Sequence, residues 1–443
     1  MDGGRAELLG AAVTIGRSLC REAWYDPTGQ YCSWMGRQDI QEGLIARYSV
    51  RSAAVGPELY GGSAGIALFL TELYRITGEP GFADTARAAL RRSVRYMRHH
   101  PTGASPLSFF AGHLGMLYAA CRLADADAEA AHDTGRAGAA GQEGLGEETE
   151  WLAASVLEGL AGEHTLDVIS GNAGAVPVLL SLARRPGYEA FTDLAVACGE
   201  ELCREAHWSG EMCWWDSGQL SGSRDVRPAT GLSHGASGCA LALLVLHATT
   251  GDDGFLRTAR GAFAFEDSLY SPAAGNWVDT RFSYRADGGE VRGTFQRGWC
   301  HGGPGIAIAR MFAALLDPEM AEDHLRMAES GVRVAAAALS ERLAQPGYDT
   351  TLCHGIAGLS EVLLMYGDWF DSAHRAVAVD AALMLVRRYG DSGDWPSGVN
   401  AGGPNPSLMI GTAGIGYHLL RLLDPAVPPV LSLTLAPDQV CRR

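Results

Sequence analysis

Positive charge is what this chain is short of. Lys plus Arg number 35 against 51 Asp plus Glu, a net charge of -16. A nucleic-acid binder needs a basic face to neutralise phosphates, and the balance argues against that class. Absent too is any charge-free apolar run of 18 residues, so no segment is built to span a membrane. Leu8 to Gly16 is mildly apolar, but one Arg precedes it and no small-residue cleavage pattern follows. No secretory signal is therefore expected, and the chain reads as cytoplasmic. The ten cysteines form no tight framework, and a chain of 443 residues needs no disulfide staples. They read as reduced thiols, any clustered ones being suited to metal. What the chain has in quantity is apolar surface: 47% apolar against 19% charged residues supports a sizeable globular core.

That apolar content is organised by a short frame written seven times: two variable residues, Gly-x-x-Gly, then an apolar run. It reads Tyr60-Gly61-Gly62-Ser-Ala-Gly65, Phe110-Ala111-Gly112-His-Leu-Gly115, Ile169-Ser170-Gly171-Asn-Ala-Gly174 and Ser233-His234-Gly235-Ala-Ser-Gly238. The last three are Cys300-His301-Gly302-Gly-Pro-Gly305, Cys353-His354-Gly355-Ile-Ala-Gly358 and Met409-Ile410-Gly411-Thr-Ala-Gly414. The first Gly recurs at intervals of 50, 59, 64, 67, 53 and 56 residues, the mark of a repeat architecture. After Gly65, Ile66 to Tyr74 is apolar at helical spacing, Gly78-Glu-Pro80 breaks it, and Phe82 to Met97 is amphipathic and Arg-rich. Each repeat should hold one buried helix and one with a charged face, and such pairs must stack. Periodicity alone leaves open whether they close into a ring. The Gly columns read as architecture, letting backbones approach closely. Gly302-Gly-Pro-Gly305 and the run Gly411 to Gly416 resemble dinucleotide loops, but neither follows a predicted strand, so that reading is weak.

The chain is expected to form one domain over 1–443. Residues 1–55 hold a helix, roughly Arg5 to Ala23, ended by Asp26-Pro27-Thr28-Gly29, then a connector in which Trp24, Tyr25, Cys32 and Trp34 serve packing. The seven repeats fill 56–424. Residues 425–443 form a Pro-rich extended tail, expected along the outside. Ala124 to Glu148 has the composition of a surface insertion. Trp208 to Pro228 and Ser271 to Arg297 show little helical period and read as long loops.

Chemistry enters where the variable pair changes. It becomes Ser233-His234, Cys300-His301 and Cys353-His354 in repeats four to six. Equivalent positions of equivalent repeats gather at one end of an array, so these six residues should meet. Thiolate and imidazole are what a tetrahedral zinc prefers, and three protein ligands with one open position is the catalytic pattern. The alternative is that Cys300 and Cys353 are small buried apolar groups and the histidines are satisfied by hydrogen bonds. Neighbours in mid-helix point about 100° apart, so Cys353 and His354 can share a metal only on a turn or helix start.

Several stretches resemble the LanC family of lanthionine cyclases: Glu58-Leu-Tyr-Gly-Gly-Ser-Ala-Gly-Ile-Ala-Leu-Phe-Leu70, Gly231-Leu-Ser-His-Gly235, Gly298-Trp-Cys-His-Gly302, Leu352-Cys-His-Gly355 and Gly411-Thr-Ala-Gly-Ile-Gly-Tyr417. The likeness runs from about residue 55 to the end. The first and last repeats and Gly275-Asn-Trp-Val-Asp279 resemble most the cyclase domain at the C-terminus of class II lanthipeptide synthetases. No dehydratase domain precedes it, so the chain reads as a stand-alone cyclase or an excised domain.

The resemblance implies an all-α fold, a closed α/α toroid (a double helical barrel) of seven helix-pair repeats with zinc at its mouth. Carried over motif by motif, Cys300, Cys353 and His354 would be the zinc ligands and His234 the general acid/base. Asp167, in Leu166-Asp-Val-Ile-Ser-Gly171, matches the acid the family sets beside that histidine; the alternative is a helix cap. His301, in the same column, together with Arg297 and Trp299, would stand behind the metal or face the substrate, ligand exchange at His301 being the alternative. The implied activity closes lanthionine and methyllanthionine rings by adding cysteine thiolates to dehydroalanine or dehydrobutyrine in a precursor peptide, dehydrated by a separate enzyme. A free thiol, with a pKa of about 8.5, needs such activation at neutral pH. Two rivals remain. A glycosidase or terpenoid-type cyclase on a similar toroid is one, but glycosidases need two acids across a cleft, and no paired acids stand at the repeat starts. The other is a non-catalytic LanC-like scaffold that grips peptides or partner enzymes, against which the retained ligands and histidine argue.

Overall fold

In the computed structural model, the residues described are 2–42, 47–100, 105–134, 144–162, 164–216, 228–285, 291–400 and 402–437. Helix α1 (Asp2–Glu22) leads into two antiparallel ribbons, β1 (Trp24–Tyr25) with β2 (Cys32–Ser33), and β3 (Met35–Glu42) with β4 (Arg47–Ala54). There follow α2 (Ser63–Thr77), α3 (Pro80–His99), α4 (His113–Thr134), α5 (Gly146–Leu157), α6 (Asn172–Leu182) and α7 (Phe191–Arg204). The ribbon of β5 (His207–Ser209) and β6 (Met212–Trp214) precedes α8 (Ala236–Thr250) and α9 (Asp253–Asp267). Two more ribbons, β7 (Tyr270–Ser271) with β8 (Asn276–Trp277) and β9 (Asp279–Arg285) with β10 (Val291–Thr294), lie ahead of α10 (Gly303–Leu316). The chain ends with α11 (Ala321–Leu343), α12 (Ile356–Trp369), α13 (Ala373–Tyr389) and α14 (Thr412–Leu423). Among the described residues no helix is long and apolar enough to cross a membrane.

Each helix type forms for the reason its sequence announces. α2 is buried at every residue from Ser63 to Leu73, as an apolar run with no polar face requires. It starts on extended Gly62 and stops at Gly78, whose φ of 69° lets its N–H return to the Tyr74 carbonyl. α3 takes Pro80 in its first turn, buries Ala83, Ala86, Leu90, Val94 and Met97, and turns Arg95 and Tyr96 outward. The second Gly of the frame is architectural in a concrete sense. A Cβ at Gly65, Gly174, Gly238 or Gly414 would stand 2.0, 2.0, 2.2 or 1.8 Å from the carbonyl oxygen of the residue six positions earlier. No side chain fits there, so the frame is held by close backbone approach.

The chain divides into two compact units, one of Met1–Ala161, Gly347–Ala357 and Val379–Val427, the other of Gly162–Pro346, Gly358–Ala378 and Pro428–Arg443. Within the first unit, α2 packs on α3, α4 and α14. Among the described residues no second α-helix follows α14; α1 packs against it instead, with Arg5 Nη2 donating to the Leu423 carbonyl at 2.9 Å. Its repeat starts are joined main chain to main chain. The Cys353 N–H donates to Met409 at 2.9 Å, Met409 to Tyr60 at 3.0 Å and Tyr60 to Phe110 at 2.8 Å. Within the second unit, α6, α8 and α10 pack in sequence, each with its own outer partner, α7, α9 and α11. The same belt recurs there, Ile169 to Ser233 at 3.3 Å and Ser233 to Cys300 at 3.3 Å. The first variable residues of successive repeats are therefore neighbours within each unit.

Four regions differ from the expectations drawn from the sequence. The connector after α1 is β1–β4 rather than irregular chain: Cys32 and Trp34 are buried, but Trp24 and Tyr25 are 71% and 45% exposed. Antiparallel pairing satisfies backbone groups that helical periodicity gives no hint of. Ser271 to Arg297 likewise holds β7 to β10, with 286–290 outside the described residues. The expected extended tail is instead a buried turn: Val430–Ser432 is a short 3-10 helix, Leu431 and Leu433 are fully buried, and Leu433 and Thr434 have φ of 58° and 68°. Its apolar residues are spent on the core. The expected insertion, 124–148, is α4 and α5 on either side of 135–143, which lies outside the described residues, as do 217–227 and 438–443.

Candidate active site

The second unit carries His234 on the turn that leads into α8. His234 Nδ1 lies 2.7 Å from Asp167 Oδ2, across 67 residues of chain. Asp167 serves the local backbone as well. Its Oδ1 accepts from the Ser170 N–H at 2.7 Å and so closes the turn before α6. Pairing and turn closure coexist because a carboxylate has two oxygens. A carboxylate on Nδ1 fixes that nitrogen as the protonated one and leaves Nε2 as the acceptor. The His301 ring is stacked beside His234, with centroids 5.6 Å apart. Asp167 and His234 line a cavity of about 220 Å³ with His164, Trp215 and Cys239. His164 is held by Glu201 at 2.6 Å, which also accepts from Asn172 at 2.7 Å. Burial pushes the Cys239 thiol well above its ordinary value, so this wall of the cavity is a neutral thiol.

Ser233 ties that turn to the next repeat. Its Oγ donates to the Cys300 carbonyl at 2.7 Å, alongside its N–H. At the head of the turn Gly231 has φ +106°, and a Cβ there would lie 3.4 Å from the Cys300 carbonyl oxygen. Both the left-handed backbone and the close approach call for glycine. Glu266, in the last turn of α9, closes the turn from below. It is fully buried and accepts from Gly231 N at 2.8 Å, from Ser237 N at 3.2 Å and from Ser237 Oγ in a very short contact. Burial raises its pKa to about 7, against the pull of those donors and of Arg310.

In the first unit, Cys353 and His354 sit just before α12, on a turn, as sharing a ligand sphere demands. Cys353 is 3% exposed and receives the Tyr60 hydroxyl at 2.9 Å on Sγ. His354 Nε2 lies 3.2 Å from the Gly398 carbonyl oxygen and 3.3 Å from Asp349 Oδ2. A proton on Nε2, shared with the Gly398 carbonyl, would make Nδ1 the nitrogen able to coordinate a metal. Cys353 and His354 thus bring a thiol and an imidazole to one turn of the first unit, and Cys300 stands at the corresponding repeat start of the second. Two thiols and an imidazole are the soft donor set that suits tetrahedral zinc.

Two further residues named from the sequence, Trp299 and Arg297, are each held by a partner of their own. Trp299 is completely buried and its indole donates to the Leu431 carbonyl at 2.9 Å, so it anchors the C-terminal turn and cannot face a substrate. An aromatic beside a cysteine motif gives no sign of which way it points. Arg297 pairs with Glu341 of α11, Nη1 to Oε2 at 2.5 Å. Conversely, Tyr60, Asp349 and Glu266 carry no motif that marks them as parts of a site. Tyr60 is the detectable one, because it occupies the same column as Cys300 and Cys353.

The architecture is shared with solved structures. Nisin cyclase superposes with a TM-score of 0.61 at 18% identity, covering 86% of this chain and 93% of that one. The likeness defines the fold class: an α/α toroid. The chain belongs to the lanthionine synthetase C-like protein family, whose sequence pattern matches residues 53–435. A stretch of 195 residues is 28% identical to the lacticin 481/lactococcin biosynthesis protein LcnDR2 of Lactococcus lactis subsp. lactis. That stretch is 43% of this chain and 20% of that protein, so the chain spans about a fifth of that relative's length.

Proposed function

We propose that this protein closes thioether rings in a dehydrated precursor peptide, with zinc held by Cys300, Cys353 and His354. The observation that carries the reading is the pairing of His234 Nδ1 with Asp167 Oδ2 at 2.7 Å, beside cysteine and histidine recurring in one repeat column at Cys300, Cys353 and His354. Membership of the lanthionine synthetase C-like family supports it. Bound there, zinc would supply the Lewis acidity that turns a substrate cysteine into a thiolate at neutral pH. His234, its Nδ1 fixed by Asp167, takes the thiol proton on Nε2. The sulfur bonds to the β-carbon of dehydroalanine or dehydrobutyrine, the π electrons move onto the carbonyl as an enolate, and His234 returns a proton to the α-carbon. A histidine suits both transfers because its ordinary pKa, about 6.5, lies close to working pH. The dehydrated residues must come from a separate dehydrating activity.

Ring closure is an isomerisation and leaves mass unchanged, so it is read by loss of alkylatable thiol. The test measures zinc in the purified protein, then incubates it with a peptide bearing one cysteine and one dehydroalanine. Zinc near one equivalent and ring closure are expected, with both lost in Cys300→Ala and Cys353→Ala. Full ring formation by the zinc-free double variant would overturn the reading; zinc without ring closure would favour a peptide-binding scaffold.

A further inference from the structure

The repeat start that carries His234 is built differently from its counterpart in the first unit, and the difference lies in where the carboxylate comes from. In the first repeat, Glu58 belongs to the turn itself and folds back on it: a Cβ at Gly61 would stand 3.2 Å from Glu58 Oε1, and its half-buried carboxyl accepts from the Gly61 backbone. The position equivalent to Glu58, two before the variable pair, is Gly231 in the His234 turn. The carboxylate has not been lost. It returns from α9 as Glu266, accepting from both ends of the turn, Gly231 N and Ser237 N. At the matching place on α3, eight residues after the threonine of the shared Thr-Ala-Arg, stands Ser93. The exchange frees space: glycine at 231 lets the Cys300–His301 backbone come within 3.4–3.5 Å of where a Cβ would be.

We propose that Glu266 is the positioning residue for His234, cinching the Gly231–Ser237 turn so that the imidazole meets Asp167 while the turn stays bonded to the Cys300 carbonyl. A buried carboxylate at the N-terminus of α8 is held by two N–H donors and the helix dipole. The charged and titratable groups facing it are Arg310 from α10, which is itself bonded to Asp267 and lies beside His324 of α11, and the Cys239 thiol from α8. None of these bonds to the turn in place of Glu266. The role of Glu266 in turnover rests on the proposed cyclase reading; its hold on His234 does not.

The test therefore uses two readouts on the full-length protein. The first is the downfield imidazole Nδ1–H resonance of His234 in histidine-labelled protein, assigned by its loss in His234→Gln. The second is ring closure of the peptide bearing one cysteine and one dehydroalanine. Glu266→Leu, which removes every acceptor, is expected to abolish or shift that resonance and to lower kcat about tenfold or more with KM little changed. Glu266→Gln keeps an acceptor oxygen and is expected to retain the resonance and at least a third of wild-type kcat. Should Glu266→Leu fail to fold, Ser237→Ala removes one donor and is expected to shift the resonance with a loss of a few fold. A folded Glu266→Leu, or Ser237→Ala in its place, with an unmoved resonance and unchanged kcat would overturn the proposal. If wild-type protein closes no ring, the cyclase reading falls and the resonance alone decides.

Discussion

The two units begin from the same passage and end in different chemistry. Leu19-Cys20-Arg21-Glu22-Ala23 closes α1, and Leu202-Cys203-Arg204-Glu205-Ala206 closes α7. Each is followed by a short ribbon and a Cys-x-Trp, Cys32 to Trp34 and Cys213 to Trp215. Each Trp donates from Nε1 to the leucine carbonyl, Trp34 to Leu19 and Trp215 to Leu202, both at 2.8 Å. Each second cysteine donates to the carbonyl of a helical threonine, Cys32 to Thr85 at 3.5 Å and Cys213 to Thr258 at 3.2 Å. Burial pushes both those thiols up to about 12, so they are neutral packing groups. The scaffold is thus duplicated down to single hydrogen bonds. The repeat starts differ: Tyr60-Gly61 with its own Glu58 in the first unit, Ser233-His234 with Glu266 from α9 in the second. A shared scaffold lets a change of a few residues in a turn set a histidine beside Asp167 without refolding the chain.

The comparison can be broken most directly at the cysteines. Cys353→Ala should lose stoichiometric zinc and more than a hundredfold in ring closure, measured by metal analysis and thiol alkylation; the buried Cys213→Ala should keep both. Next in size, His234→Ala should retain zinc yet lose on the order of a hundredfold in kcat, the range expected for a general acid/base. Metal loss there would reassign His234 as a ligand. At the scaffold level the units should respond alike. Gly62→Ala and Gly235→Ala each force a Cβ to 2.4 Å from backbone, against Glu58 and Thr230, and each should cost about 1–3 kcal/mol or more by urea denaturation.

Smaller effects separate the two carboxylates and the tyrosine. The folded pKa of Glu266, about 7, lies above its ordinary 4.5, so the folded state holds that proton more tightly. Its contribution is complete below pH 4.5 and is lost as pH rises through 7. Glu266→Gln should remove this slope from urea midpoints taken between pH 5 and 8; an unchanged slope would assign it to other groups, Glu58 among them. Tyr60→Phe deletes one donor to Cys353 Sγ and should weaken zinc retention against a chelator by about 1–2 kcal/mol, with folding intact.

Much of the fold was legible because it is local. Gly-x-x-Gly followed by an apolar run, then an amphipathic run, dictates buried and exposed helices without reference to the rest of the chain, and α2 and α3 formed as read. The first ribbon was not legible, since β1 and β2 are two residues each and carry no alternation to detect. The duplicated Leu-Cys-Arg-Glu-Ala was in plain view, but two copies 183 residues apart do not register as a period.

What the sequence by itself determined is therefore the repeating unit, the glycines that no side chain could replace, and the columns in which cysteine and histidine stand. What only the tertiary structure decided is direction and closure: that α1 serves as the partner of α14, that Asp167 reaches His234, that Trp299 points into the core, and that Glu266 takes over from an absent Glu58. The physical reason is range. Helix formation and backbone crowding are settled by neighbours a few residues away, whereas each of those four outcomes joins groups tens to hundreds of residues apart, and only packing brings them together.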